Sequence, residues 1–283
     1  MVARGVLVEL VRLPAVLSVP GDALVGAALG RTRRGNLLAL SSNALYAGGM
    51  ALNDYSDRLV DGLERPGRPI PSGRIAAAQA RTVALALLAS GVASARLLGG
   101  RRTKRVVLPL AALVWAYDMR AKNGAQGPVV MAACRGFDVL LGASPGALLP
   151  ALPAAAAVAG HTANVTTLSR QETDGADVAT VAAARRGALV VAAMPLLLSL
   201  RSGGRAAGLT ALGSALYLAQ CVPPLSAAVA DPAAAQRAVG ANVLGIIPLH
   251  PALLAAAGAP RRAMAVLGLL PIARRAARRR PVS

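Results

Sequence analysis

Lysine is almost missing from this chain. Only Lys104 and Lys122 occur, so arginine supplies nearly all of the 31 basic side chains. Acids are scarce as well, 12 in 283 residues, which leaves a formal net charge of +19. Aromatic residues make up 2%, with one Phe, one Trp and four Tyr. The two cysteines, Cys134 and Cys221, sit inside apolar runs, where a free thiol behaves as a small hydrophobe. Two such residues exclude a disulfide framework. They form no metal-binding spacing with each other or with the two histidines, His161 and His250. There is no convincing internal repeat of the kind many transporters carry. The N-terminus has Arg4, Glu9 and Arg12 but no small-residue cleavage site behind a short apolar core. The first apolar run is therefore expected to be a retained helix.

What the chain has in quantity is apolar sequence, 55% of residues, with a mean hydropathy of +0.54. The apolar stretches recur too often for a soluble domain and read as membrane helices. Spans are expected over 10–29, from 37 into an acidic stretch near 60, and over 75–98, 106–119, 129–149, 154–170, 181–200, 206–229 and 237–257. A piece at 264–272 is too short to cross a membrane and is expected to lie in the interface, unless the last span is broken at Pro260. This length suits one bundle over 1–283, ending in a basic tail at 273–283, with no room for a sizeable second domain. A basic soluble protein would point to nucleic acid. Here the arginines lie between apolar runs, which excludes nucleic acid as the expected partner and favours lipid headgroups and phosphate-bearing substrates.

The chain is organised around residues 53–73, NDYSDRLVDGLERPGRPIPSG. On a helix, with Asp54 as zero, Asp57 falls at about 300°, Asp61 at about 340° and Asn53 at about 260°. All four polar groups then share one face. Carboxylates so placed, with no cation between them, repel one another and disturb each other's proton affinity. A hard divalent cation relieves both costs. Mg2+ typically takes one or two carboxylates and completes its shell with water and phosphate oxygens. Arg65 and Arg68 follow at once and suit phosphate, because guanidinium matches its geometry. Pro66, Pro69 and Pro71 end the helix and stiffen the loop, while Gly67 and Gly73 let it turn. The stretch reads as a Mg2+-diphosphate site with a basic lid. The plain alternative is a charged loop between two membrane helices, but such a loop has no need to gather its acids on one helical face.

Asn53-Asp54-x2-Asp57-x3-Asp61, followed by Arg65-Pro66-x-Arg68-Pro69-Ile70-Pro71-Ser72-Gly73, resembles the first aspartate-rich motif of the UbiA-type intramembrane prenyltransferases. The resemblance extends over most of the chain in layout. It implies an all-α, multi-pass membrane bundle of about nine transmembrane helices around a central cavity. It also implies Mg2+-dependent transfer of a prenyl group from a polyprenyl diphosphate to a lipophilic acceptor, aromatic ones included. With nine spans, the loops after the second, fourth and sixth share one side. The resemblance sets that side in the cytoplasm, at a plasma membrane expected to be bacterial, although Arg31, Arg33, Arg34 and the basic run 101–105 fall on the opposite side by this count.

A second polar cluster, Ser169-Arg170-Gln171-Glu172-Thr173-Asp174-Gly175-Ala176-Asp177, stands where the family carries its second aspartate motif. It departs from the usual pattern of two Asp four apart. Glu172 takes the first acidic place, Ala176 the second, and Asp177 comes one residue later. On an ideal helix Glu172 and Asp177 lie about 140° apart, so a break at Gly175 would be needed to bring them together. The form SRxE followed by Gly resembles the EboC-like branch of the superfamily. This departure leaves open whether one or two Mg2+ ions bind. Tyr117-Asp118-x3-Lys122 closes the fourth span, and the resemblance implies that Lys122 contacts diphosphate. A lysine there is equally a good partner for a helix C-terminus.

Arg135 and Asp138 lie inside the fifth span at i and i+3 and are expected to face the interior as a structural pair. His161 is expected to be buried and satisfied, and His250, between prolines, to be interfacial. The resulting site expectation assigns Asp54, Asp57, Asp61 and Glu172 to catalysis. It assigns the same four with Asp177 to Mg2+, and Asn53, Arg65, Arg68, Lys122 and Arg170 to the diphosphate. Ionisation would leave an allylic cation in an apolar tunnel, with Tyr55 and Tyr117 as the candidate rings to stabilise it. Alternative readings are prenyl transfer to a non-aromatic alcohol or sugar, cyclisation of the prenyl chain, and, in another class, an ion or phosphate transporter.

Overall fold

The structure is a computed structural model that describes residues 4–12, 19–201 and 206–268. The basic tail at 273–283 and the end of the expected interfacial piece, 269–272, lie outside the described residues. The described chain is helical throughout, with no strand. Its elements are α1 (Arg4–Leu10), α2 (Pro20–Leu29), α3 (Arg34–Glu64), α4 (Ala77–Gly99), α5 (Lys104–Ala116), α6 (Gly127–Ala143), α7 (Leu152–Ser169), α8 (Val178–Arg201), α9 (Ala207–Cys221), α10 (Pro232–Leu244), α11 (Ile246–Ala256) and α12 (Pro260–Leu267).

Apolar patterning explains the packing. One core cluster joins α3, α4, α5 and α6 through Leu45, Leu52, Leu88, Val107 and Leu141. A second joins α2, α6, α7, α8, α9 and α11 through Val25, Val158, Val191, Tyr217 and Leu253. α6 contributes to both, with Leu141 in the first and Val139 in the second, so it is the wall between the two halves. Among the described residues three segments are long and apolar enough to cross a membrane: Ala77–Gly99, Val178–Leu200 and Pro232–Ala256. The first buries only 28% of its apolar window and the third 72%. The outer helices therefore present apolar faces away from the protein, such as Leu85, Leu97, Leu189 and Leu197, as a lipid-facing surface requires.

Close approach is built with glycine. A Cβ on Gly26 would strike the Val139 carbonyl oxygen, and one on Gly142 the Ala23 carbonyl oxygen. Gly26 and Gly30 form a small-xxx-small pair that lets α2 and α6 meet backbone to backbone. Gly142→Ala is expected to cost about 1 to 3 kcal/mol, because rigid backbone cannot yield to the added methyl. A thermal unfolding series in detergent checks this, and an unchanged Tm would show that the crossing has slack.

Several boundaries differ from those read in the sequence. The first span is not one helix: α1 ends at Leu10, Arg12 takes a left-handed φ of 48°, and α2 begins only at Pro20. The fifth span stops at Ala143, just before Pro145, and the eighth at Cys221, just before Pro223 and Pro224. The last span starts five residues early, at Pro232, capped by the Asp231 carboxylate accepting from the Ala234 N–H at 3.0 Å. It breaks at Gly245, and a second turn at Gly258 (φ 74°) starts α12. The fourth span ends in a π-helical turn, Tyr117–Ala121. Its i→i+5 bond from Lys122 N–H to Tyr117 C=O adds a residue to the turn just where the polar groups begin.

Candidate active site

The acidic stretch is helical as its spacing predicts, since α3 continues through it to Glu64. Asp54 and Asp61 are buried, 4% and 3% exposed, and Asp57 is partly open. The loop after the helix folds back over them. Arg68 Nη1 stands 2.8 Å from Asp54 Oδ1 and 3.5 Å from Asp61 Oδ2, while Arg65 reaches Asp61 at 3.8 Å. The loop holds its shape through Ser72 Oγ donating to the Arg68 carbonyl, Ile75 N–H donating to the Pro69 carbonyl, and Gly73 at φ 72°. Arg74 forks onto Glu9 at 2.6 and 2.9 Å and also donates to the Gly67 carbonyl. That staple ties α1 to the loop and brings Arg12 to Asp54 Oδ1 at 3.1 Å.

The π-helical turn supplies the other wall. Lys122 Nζ lies 2.5 Å from Asp57 Oδ1 and donates to Ser56 Oγ at 2.6 Å. Asn53 Nδ2 donates to Asp118 Oδ1 at 3.3 Å. With Lys122 on Asp57 and the Arg170 side chain on the Gly124 carbonyl, the ends of α3, α5 and α7 converge on one place. The predicted shared side for these three loops agrees with this arrangement.

The second acidic loop is pinned from two directions. Arg170 donates to the Gly124 carbonyl at 2.6 Å, linking it to the loop after the π-helical turn. Ala176 pairs with Ala228 and Ala230 through an isolated parallel bridge. Gly175, at φ 83°, lets this happen, since a Cβ there would lie 2.7 Å from the Ala230 backbone. Asp177 departs from its expected role. Both of its oxygens are engaged, by Gln171, Thr180 N–H and Thr180 Oγ1, and it stands at the start of α8. The Thr180 N–H, above all, holds its carboxyl below the usual carboxylate range. Arg170 is likewise spent on a carbonyl here and not turned to the acids. Glu172 is half-buried and its side chain makes no hydrogen bond or ion pair among the described residues, so its carboxylate is free.

Among the described residues no three His, Cys, Asp or Glu side chains converge closely enough to hold a metal by themselves. Cations occupy the space between the carboxylates instead. The donor set still suits Mg2+. It consists of hard carboxylate oxygens, and Asp61 Oδ2 is buried without a hydrogen bond. An ion that takes one or two carboxylates and fills its shell from phosphate and water needs no closer cluster.

Other expectations are corrected. Arg135 and Asp138 do not pair with each other. Arg135 Nε reaches Asp22 Oδ2 at 2.9 Å, and Asp138 accepts from Ser42 Oγ at 2.6 Å. His250 is not interfacial: it is 3% exposed and its Nε2 lies 2.6 Å from Asp22 Oδ1. His161 is buried and bonded to the Tyr217 hydroxyl at 3.1 Å, as expected. The Tyr55 ring faces Arg58 and Arg81, at 4.6 and 5.8 Å, which turns it from the acidic face. Two contributors were missed by sequence reasoning. Arg12 gave no motif. Asp22, an acid inside the apolar run PGDALVGAALG, carried a signal that a lone intramembrane charge always carries.

The UbiA prenyltransferase family model matches residues 23–230. A digeranylgeranylglyceryl phosphate synthase of Ignicoccus hospitalis is 47% identical over 85 residues, covering 29% of this chain and 28% of that protein. One of Methanopyrus kandleri is 37% identical over 134 residues, covering 45% and 46%. The chain thus aligns with less than half the length of these curated relatives. They are archaeal, which leaves the expected bacterial membrane without support. Among solved structures, a UbiA homologue of Archaeoglobus fulgidus bound to DMAPP and Mg2+ superposes with a TM-score of 0.66 at 16% identity, over 93% of this chain and 99% of that one. An apo homologue of Aeropyrum pernix gives 0.65 at 21%, over 85% and 96%. At these identities the structural likeness shows the fold.

Proposed function

Because the chain belongs to the UbiA prenyltransferase family, we propose that it moves the prenyl group of a polyprenyl diphosphate to the hydroxyl of a lipid-like alcohol, with Mg2+, at the acidic end of α3. The observation that carries this is the convergence of Asp54, Asp57 and Asp61 with Arg12, Arg68 and Lys122 on one face. An alcohol is favoured over an aromatic acceptor because the curated relatives are digeranylgeranylglyceryl phosphate synthases. The proposal covers 1–283 as one domain with about nine spans and the site toward the cytoplasm.

In the reaction the bond between prenyl C1 and the diphosphate oxygen breaks, and its electron pair leaves with the diphosphate. The acceptor oxygen bonds to C1, giving an ether, diphosphate and a proton. When bound, Mg2+ neutralises charge developing on the leaving diphosphate. Asp57, Asp61, Asp54 and Glu172 would hold it. Arg68, Arg65, Arg12 and Lys122, now paired to the acids, would turn to the phosphate oxygens, and Asn53 would keep Asp118 oriented. The apolar bundle below excludes the water that would quench the cation. Asp177 and Arg170 act by holding the second loop in place.

The test is diphosphate release by the protein in lipid nanodiscs, given geranylgeranyl diphosphate and Mg2+. Geranylgeranylglyceryl phosphate serves as one acceptor and 4-hydroxybenzoate as the other. Release with the first, a prenylated product mass and loss of both with EDTA are expected. Turnover with the aromatic acceptor alone would overturn the choice of acceptor, and release indifferent to EDTA would overturn the metal. Arg68→Ala is expected to raise KM for the diphosphate roughly tenfold or more, since a charge-assisted bond to phosphate is worth about 1.5 to 3 kcal/mol. Initial rates against diphosphate concentration check this, and an unchanged KM would remove Arg68 from the phosphate site.

A further inference from the structure

At the other end of α3 lies a second polar place that the proposed reaction does not use. α3 is 31 residues long, so its first residue stands about 45 Å from the acid-bearing end. There the α2–α3 turn meets the start of α12 and forms an open hollow of about 450 Å3, lined by Arg31, Arg33, Arg261 and Arg262 together with Ala27 and Ala257. Arg262 donates to Asn36 Oδ1 at 3.0 Å, which fixes its guanidinium without neutralising it. The side chains of Arg31, Arg33 and Arg261 make no hydrogen bond or ion pair among the described residues. The sequence supplies no counter-charge nearby, for no Asp or Glu occurs between Asp22 and Asp54, nor anywhere after Asp231. Two turns in left-handed backbone shape the walls, Arg31 at φ 51° and Gly258 at φ 74°. The first turn of α12, with no side-chain cap, adds its positive end to the lining.

Four arginines with no acid among them line this hollow, so its potential attracts an anion. The ligand must be anionic and match guanidinium geometry, as a phosphate does. Met264, about one turn after the lining residue Pro260 on α12, is 61% exposed and offers apolar surface to the tail of such a ligand. We infer that this pocket, on the face opposite the acidic site, binds the phosphate of an anionic phospholipid headgroup, with the acyl chains lying along α12.

The test is a native mass spectrometry titration of the full chain in detergent with phosphatidylglycerol, with phosphatidylcholine as the control lipid. The wild type is expected to take up phosphatidylglycerol selectively. Arg33→Gln/Arg261→Gln is expected to weaken that uptake roughly tenfold or more, given the attraction of each basic side chain to an anionic lipid surface. Arg33→Lys/Arg261→Lys should keep most of it. Arg102→Gln/Arg105→Gln, which removes the same charge elsewhere in the chain, should leave the tightest site unchanged. A Tm in phosphatidylcholine nanodiscs equal to that of the wild type shows that the glutamine variant is folded. Equal uptake of both lipids overturns the inference, as does an equal loss in the Arg102→Gln/Arg105→Gln control. Displacement of the lipid by inorganic phosphate supports the pocket with the phosphate oxyanion as the ligand, and retention against phosphate supports it with the intact headgroup.

Discussion

Asp57→Asn is expected to abolish Mg2+-dependent turnover while leaving the fold as stable as before. The loss should be roughly a thousandfold or more, because electrostatic help from a metal is worth several kcal/mol and each 1.4 kcal/mol or so is a factor of ten. Stability should hold because the Asp57 side chain is 30% exposed and its partner Lys122 keeps a second acceptor in Ser56. Asp54 behaves differently under the same change. It is buried and carries both Arg12 and Arg68, so Asp54→Asn removes the counter-charge of Arg12 and the nearer of the two that Arg68 has, and should lower Tm together with activity. Measuring diphosphate release and thermal unfolding on both variants separates the two roles. Wild-type turnover in Asp57→Asn would remove the central claim about this site. A stable, inactive Asp54→Asn would show that its arginines find other acceptors.

That contrast also marks where the sequence ran out. The periodicity of Asn53, Asp54, Asp57 and Asp61 was readable because a helix turns every acid of that spacing to one side, whatever surrounds it. The arginines of the loop were readable because prolines and glycines leave a short loop few ways to travel, and folding back is one of them. Arg12 was not readable. Its route to Asp54 depends on a break in the first span and on a staple between Arg74 and Glu9, 65 positions apart. Local pattern carries no information about such a contact. The second loop fell between these cases. The break expected at Gly175 is present, while the Asp177 carboxylate, expected at the metal, is engaged by the start of α8 one residue later. Capping competes for the same short acidic side chains that metals use, and a helix start immediately after an Asp is the sign of it.

Asp22→Asn is expected to be the most destabilising single change outside the backbone crossings. Asp22 is fully buried on α2 and faces Arg135 of α6 and His250 of α11, so one carboxylate joins three helices at the depth of the bundle core. Removing its charge strands a buried guanidinium, a loss of about 3 to 5 kcal/mol in comparable buried pairs. The same reasoning makes a sharper prediction. If the network is only a counter-charge for Arg135, replacing both partners with apolar residues of similar size, Asp22→Leu with Arg135→Met, should recover most of that loss, because neither charge is then left alone. If Arg135 serves the substrate cavity, the double variant should fold and still turn over poorly. Tm in detergent for the two singles and the double, followed by initial rates on the double, reads both outcomes. A double variant that is stable and fully active would assign the network to the fold alone.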